Sequence, residues 1–183
     1  HPQIARLVEI ISAGEIGEVR HIRAAMGFSA TVNPQSRLFD RGLGGGALLD
    51  VGVYPVSLSR LVAGAAVGQP FANPVTVKGV GNIGETGVDE QAYALLQFES
   101  GINAECATAV RRAMDNSATI IGSEGTIHLP DPWMPGRNAG PSDAVIEVTT
   151  GGDTRREEIR RPEQLFAFEA EALSQAIAAG KQQ

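Results

Sequence analysis

The sequence predicts an α+β fold whose main element is a mostly antiparallel β-sheet. Strand-like stretches follow one another through the middle of the chain, separated by glycine-bearing turns, at 75–80, 89–98, 102–110 and 117–121. Two of these turns, Glu99–Gly101 and Ser123–Gly125, are typical of hairpins. Because short connections join antiparallel neighbours, this order favours a meander. Helical spacing of apolar residues marks segments on either side of the strands.

The chain before these strands contains a helix, a strand and a long loop. Apolar residues at helical spacing predict a helix over 2–13, and Gly14 is a typical stop for it. Residues 19–28 are typical of a strand. Residues 29–43 contain an Asn-Pro pair and little periodicity, so we interpret them as a loop. Long loops in compact domains often carry function.

A second helix follows a run of glycines and is predicted over 47–61. Its apolar residues available for burial are Leu48, Val51, Val56, Leu58 and Leu61. Pro55 lacks a backbone N–H, so we expect it to kink this helix or to split it just after Tyr54.

The last third of the chain contains a second loop, two strands and a helix. Residues 130–143 include four prolines and the only tryptophan, and strands are predicted at 144–149 and 155–159. Pro162 suits the first turn of a final helix that continues to residue 179. Part of its apolar side is formed by Leu165, Phe168, Leu173 and Ile177.

Composition bounds the class of protein. A chain of 183 residues fits one domain, and a hydrophobic content of 43% is enough for a sizeable core. The net charge of -6 argues against nucleic-acid and anionic-membrane partners, which attract basic patches. The chain has no run of about 18 apolar residues, so we expect no membrane span.

Cysteine and histidine usage argues against disulfides and metal sites. The single cysteine, Cys106, excludes an internal disulfide and favours a reducing, cytoplasmic setting. Its alternating segment favours a small buried thiol over a nucleophile. His1, His21 and His128 are dispersed and none has a second ligand at helical or turn spacing, so no metal site is predicted.

The stretch from Gly44 to Tyr54 is the strongest candidate for a site. It reads Gly-Gly-Gly-Ala-Leu-Leu-Asp-Val-Gly-Val-Tyr, and helical spacing puts Asp50 and Tyr54 on one face. A carboxylate beside a phenol can orient a hydroxyl and exchange a proton with it. The alternative is structural: an early-turn acid favoured by the helix dipole, and a tyrosine at the core edge.

The glycines also match the dinucleotide pattern G-x-G-x-x-G/A over Gly42–Ala47. That motif requires a buried strand directly before it, and here a polar loop precedes it, so we reject a nucleotide site. We interpret Gly45 and Gly46 as part of a substrate-side loop. Arg37 joins the substrate-binding candidates if its loop folds over Asp50 and Tyr54.

Trp133 is the remaining substrate-binding candidate. It is the only tryptophan and lies in the second loop, where it is either a lid residue or a cover over an apolar edge.

Three segments occur in the order expected of one family. Gly14–Arg20, Gly44–Tyr54 and Ile121–Ile127 together resemble the C-terminal domain of the glucose-fructose oxidoreductase, inositol dehydrogenase and MocA family. The resemblance covers nearly the whole chain. It implies an open, largely antiparallel sheet backed by helices on one face, and it identifies 1–183 as one substrate-binding and homo-oligomerisation domain. In this family an N-terminal Rossmann domain binds NAD or NADP, and the start at His1 fits a piece of such a longer protein.

The resemblance also implies roles for the site. The position of Tyr54 is often histidine, and tyrosine there is similar to the branch of dihydrodiol and xylose dehydrogenases, where it is the proposed proton donor or acceptor. Asp50 would orient the substrate or tune the phenol. A tyrosine titrates near pH 10, about three units above neutrality, and a nearby cation lowers that value. The family supplies a lysine from an E-K-P motif, which this chain lacks.

The resulting hypothesis is the substrate domain of an NAD(P)-dependent oxidoreductase that acts on a small sugar, polyol or related hydroxyl or carbonyl compound. This chain alone would lack the cofactor site and should not turn over substrate. The alternative is a non-catalytic scaffold or ligand-sensing domain of the same fold.

Overall fold

The computed structural model describes residues 1–137 and 140–180. Within them lie helices α1 (Pro2–Ser12), α2 (Val53–Ala65) and α3 (Leu165–Ala178) and strands β1 (Val19–Gly27), β2 (Pro74–Ile83), β3 (Asp89–Phe98), β4 (Asn103–Ala109), β5 (Ala118–Gly122), β6 (Gly125–Leu129), β7 (Ala144–Thr150) and β8 (Asp153–Ile159). A single 3-10 turn, Arg41–Leu43, and a π turn, Leu48–Gly52, precede α2.

One eight-stranded sheet holds the fold together, in the order β2-β3-β4-β1-β5-β6-β7-β8. The runs β2-β3-β4 and β5-β6-β7-β8 are antiparallel meanders, which confirms the predicted α+β class and both predicted hairpins. β1 lies between the two meanders, parallel to β4 and antiparallel to β5. The predicted meander made β4 and β5 neighbours, and this part of the prediction is wrong because β1 separates them. The central place of β1 depends on pairing between residues about 80 apart in the sequence.

Helices α1 and α2 cover one face of the sheet, as predicted. α2 packs on β1 and β4, and α1 contacts α2 and β7. The strands alternate accordingly: Ile22 and Ala24 of β1 are buried on the helical side, whereas Arg23 between them is exposed on the other side. We call this second side, which carries Arg23 and its cross-strand neighbours, the open face.

The helix predicted over 47–61 is two pieces. A π turn covers Leu48–Gly52, and α2 then runs without interruption through Pro55 to Ala65. The break therefore comes before Tyr54, and the predicted split after it is wrong. Pro55 lies in the first turn of α2, where a backbone N–H would have no partner within that helix, so proline is tolerated there. Leu48 is 48% exposed rather than buried.

Helix α3 also departs from the prediction. None of its residues is buried in the part of the chain that the structure describes, and Leu173 and Ile177 are 57% and 69% exposed. Its contact with the rest of the domain includes an edge-on packing of Phe168 against His1, with ring centroids 5.2 Å apart. Helical periodicity shows that one side of a helix is apolar, and does not show what covers it.

The segment Arg41–Ala65 is long and apolar enough, by length and composition alone, to cross a membrane. Half of its most apolar window is buried inside the domain, where α2 packs on β1 and β4. This burial is typical of a core helix.

Candidate functional site

The glycine loop before the π turn is held by its own backbone hydrogen bonds. The Gly45 amide donates to the Asp40 carbonyl oxygen and the Gly46 amide to the Leu38 carbonyl oxygen, both at 2.9 Å. A Cβ on Gly45 would lie 2.7 Å from the Leu38 oxygen. The loop therefore needs glycine in order to pack closely against residues 37–40.

Gly46 meets a second element, the start of β3. Its φ of 113° is in the region that favours glycine, and a Cβ there would collide with Oδ1 of Asp89. The other carboxylate oxygen, Oδ2, accepts a hydrogen bond from the Leu48 amide at 2.7 Å. Asp89 thus caps the π turn. Sequence reasoning missed this residue, because its partner lies 41 positions away.

Asp50 is paired with an arginine from the preceding loop. Nη2 of Arg37 donates to Oδ1 of Asp50 at 2.6 Å, and the carboxylate side chain is 15% exposed while the arginine is 65% exposed. This contact meets the part of the condition for Arg37 that concerns Asp50. The fork of guanidinium donors fixes the carboxylate and leaves further N–H groups facing solvent.

Tyr54 lies in the first turn of α2, one turn beyond Asp50. The described residues show no hydrogen bond between these two side chains. Tyr54 is 36% exposed and packs edge-on against Trp133, with ring centroids 6.3 Å apart. π turns inside helices occur often at functional sites, and here the irregular turn separates the carboxylate from the phenol.

Trp133 is a fixed wall of the site. It is 8% exposed, and its indole Nε1 donates to the Ala25 carbonyl oxygen of β1 at 2.8 Å. Of the two interpretations offered by the sequence, this anchoring favours a residue that covers an apolar edge over a mobile lid.

The amides of the glycine loop offer no cradle for a pyrophosphate. Those of Gly42, Leu43, Gly44, Gly45, Gly46 and Leu48 all donate to oxygens of this chain. The carboxylate of Asp89 also lies against Gly46 and would repel a phosphate. These residues do not fit a dinucleotide, which agrees with the rejection of the G-x-G-x-x-G/A match.

The other reactive side chains are two histidines on the open face and a buried cysteine. Nε2 of His21 is 3.0 Å from Oε1 of Glu105, and Nδ1 of His128 is 3.1 Å from Oγ1 of Thr119, on the open face. Cys106 is buried as predicted, and its burial raises the pKa of the thiol. Within residues 1–137 and 140–180, no three histidine, cysteine or acidic side chains are grouped so as to hold a metal ion.

Residues 4–128 match the GFO/IDH/MocA C-terminal domain. The chain belongs to the GFO/IDH/MocA family. An uncharacterized oxidoreductase of Rhizobium meliloti is 32% identical over 189 residues, which cover 98% of this chain and 52% of that protein. The trans-1,2-dihydrobenzene-1,2-diol dehydrogenase of Mus musculus is 32% identical over 134 residues, which cover 73% of this chain and 38% of that enzyme.

Solved structures of the family have the same fold. The aldose-aldose oxidoreductase from Caulobacter crescentus complexed with glycerol superposes on 98% of this chain and 51% of its own, with a TM-score of 0.80 and 23% identity. The 3-ketoreductase KijD10 from Actinomadura kijaniata, in complex with NADP and TDP-benzene, gives a TM-score of 0.77 at 25% identity, over 100% of this chain and 53% of its own. The chain thus spans about half the length of these two proteins.

Proposed function

We propose that this chain is the substrate-binding domain of an NAD(P)-dependent oxidoreductase that acts on a sugar, polyol or related hydroxyl or carbonyl compound. The observation that carries the proposal is the pairing of Arg37 with Asp50 one turn before Tyr54. Family membership supports it, because the relatives with assigned names are dehydrogenases and reductases.

In this proposal Tyr54 exchanges the proton. During oxidation its phenolate oxygen takes the proton of the substrate hydroxyl, and during reduction the neutral phenol returns a proton to the carbonyl oxygen. Asp50, held by Arg37, accepts a hydrogen bond from a second substrate hydroxyl and so orients the reacting one. The exposed N–H groups of Arg37 can donate to the same part of the substrate.

We place the nicotinamide on a nucleotide-binding domain outside this chain, because five of the six backbone amides of Gly42–Ala47 donate hydrogen bonds within this chain. In this proposal the hydride passes between the substrate and that nicotinamide. Leu48, Leu49 and Val53 are 48%, 62% and 49% exposed beside Tyr54, and we propose that they pack against the nucleotide-binding domain.

In this proposal the nucleotide-binding domain also supplies the cation that activates Tyr54. The chain has two lysines, and Lys78 lies on the edge strand β2 while Lys181 falls outside the described residues. An external lysine or a comparable cation would favour the phenolate and so speed proton exchange.

We also propose that the domain forms homo-oligomers through the open face. This face exposes Val80 at 72% and Leu95 at 58%, and these side chains border an apolar groove of about 460 Å³. Exposed apolar patches of this kind are typical of association surfaces. Light scattering of the purified protein tests the proposal, and a monomer at all concentrations would contradict it.

Tyr54→Phe in the full-length enzyme tests the catalytic role. It should lower kcat at least about 100-fold, since general acid-base catalysis contributes that much or more, and should leave the free energy of unfolding nearly unchanged. The chain has two tyrosines, and Tyr93 is 38% exposed against 36% for Tyr54, so Tyr93→Phe is a matched control that should keep its turnover. Equal turnover in both variants would refute the role of Tyr54.

A further inference from the structure

A second cavity is lined by Trp133, the residue that packs edge-on against Tyr54. Its volume is about 510 Å³, which is in the range of small-molecule sites. The side chains that line it are Met26, Asn116, Asp131, Trp133, Met134 and Arg137.

The wall is fixed on both sides of the cavity. Trp133 is anchored to Ala25 of β1 by its indole N–H. Gly136 has a φ of 66°, and a Cβ there would collide with the Pro141 carbonyl. Ser142 is fully buried, and its hydroxyl donates to the Glu163 carbonyl oxygen at 2.8 Å. These contacts anchor Trp133 and Ser142 and pack Gly136 closely against Pro141.

Asn116 supplies a strained and directed polar group. Its φ of 53° makes it the one non-glycine residue with positive φ in the described part of the chain. Oδ1 accepts a hydrogen bond from the Gly27 amide at 2.7 Å, so the side chain's remaining capacity is the two N–H donors of its amide. Non-glycine residues in this region often occur at ligand sites.

Arg137 and Asp131 add donors and an acceptor to the same cavity. The guanidinium of Arg137 makes no ion pair within residues 1–137 and 140–180. Oδ1 of Asp131 accepts a weak hydrogen bond from the Met134 amide at 3.4 Å, and Oδ2 remains available. Donors and an acceptor beside an indole ring match a hydroxylated ring, because each hydroxyl both donates and accepts. The Asp131 carboxylate disfavours an anion.

We propose that this cavity is a specificity subsite for a second hydroxylated ring, so that the enzyme acts on a disaccharide or a glycoside rather than on a simple polyol. The inference rests on the proposed function, since it places the reacting hydroxyl at Tyr54 and the second ring beyond Trp133. Asn116, Asp131 and Arg137 then determine which substrates bind, without taking part in proton transfer.

Fluorescence of the single tryptophan tests the subsite without turnover. Trp133 lines the cavity, so a ligand bound there should change its emission. Cellobiose titrated into the purified chain should bind at least about tenfold more tightly than D-glucose, because one charge-assisted hydrogen bond is worth about that factor. Arg137→Ala and Asp131→Asn should each weaken the binding of cellobiose about tenfold and leave the affinity for D-glucose nearly unchanged.

Arg156→Ala is the charge-matched control, since Arg156 lies on the edge strand β8 and pairs with Glu147. Cellobiose that binds no more tightly than D-glucose, or equal affinities in Arg137→Ala and Arg156→Ala, would overturn the subsite. The proposed function fails by a different result, which is unchanged turnover in Tyr54→Phe. Loss of the subsite with retained sensitivity to Tyr54→Phe would overturn the inference alone.

Discussion

Replacing Gly46 by alanine is expected to destabilise the π turn that carries Asp50. Gly46 has a φ of 113°, and its new Cβ would collide with Oδ1 of Asp89. Relief of this collision requires Asp89 to move, which breaks the hydrogen bond between its Oδ2 and the Leu48 amide, now 2.7 Å long. The π turn that carries Asp50 would then lose its cap.

The expected loss of unfolding free energy is about 3 kcal/mol. Backbone strain at positive φ contributes about 1–2 kcal/mol. Loss of a hydrogen bond from an amide to a carboxylate adds about 1.5–3 kcal/mol, and partial relaxation of the loop offsets some of this. A loss of this size is large for a substitution that adds a single methyl group.

Urea unfolding followed by Trp133 fluorescence measures this loss, and Gly14→Ala is the matched control. Gly14 has a φ of 71° with nothing within 4 Å of a built Cβ, so its variant carries backbone strain alone, about 1 kcal/mol. Asp89→Asn should remove the charge from the cap and lose less than Gly46→Ala. If Gly46→Ala were no more destabilising than Gly14→Ala, the contact with Asp89 would not support the site.

The remaining predictions concern the edge of the sheet and the core. The Arg6 guanidinium, with help from Arg155, holds the pKa of the Glu157 carboxyl below its usual 4.5, so this pairing stabilises the fold above about pH 4.5 and is lost as the pH falls through the lowered value. Glu157→Gln should therefore cost about 1 kcal/mol at pH 7 and almost nothing at pH 2 in urea unfolding, and an equal cost at both would contradict this assignment. Burial raises the pKa of the Cys106 thiol, so Ellman's reagent should label the folded chain at least about 100-fold more slowly than the urea-unfolded chain, and rapid labelling of the folded chain would show that the thiol is accessible.

Local patterns in the sequence predicted most elements of the fold. Strand alternation and hairpin glycines predicted the hairpins β3-β4 and β5-β6, and helical spacing with Gly14 predicted α1. The position of β1 between β4 and β5 could not be predicted, because strand order depends on pairing between distant residues. The π turn was also missed, since its cap by Asp89 comes from another element.

The site was predicted only in part, because some of its contacts join residues that are distant in the sequence. The spacing of Asp50 and Tyr54 predicted these two side chains as site residues, and the loop before them contains Arg37, which bonds to Asp50. The anchoring of Trp133 to Ala25 joins residues 108 apart and leaves no local signal. Gly45 and Gly46 remain substrate-binding predictions, while their close packing explains why glycine occurs there.

The central claim is that this chain holds the substrate and proton chemistry of an active site whose nucleotide binds elsewhere. Titration of the purified chain with NADH and then NADPH, followed by energy transfer from Trp133, tests it most directly. The account predicts no saturable binding of either nucleotide, because five of the six backbone amides of Gly42–Ala47 already donate within this chain and Asp89 lies against Gly46. Saturable binding at micromolar concentrations would contradict it and would place a nucleotide site within these residues.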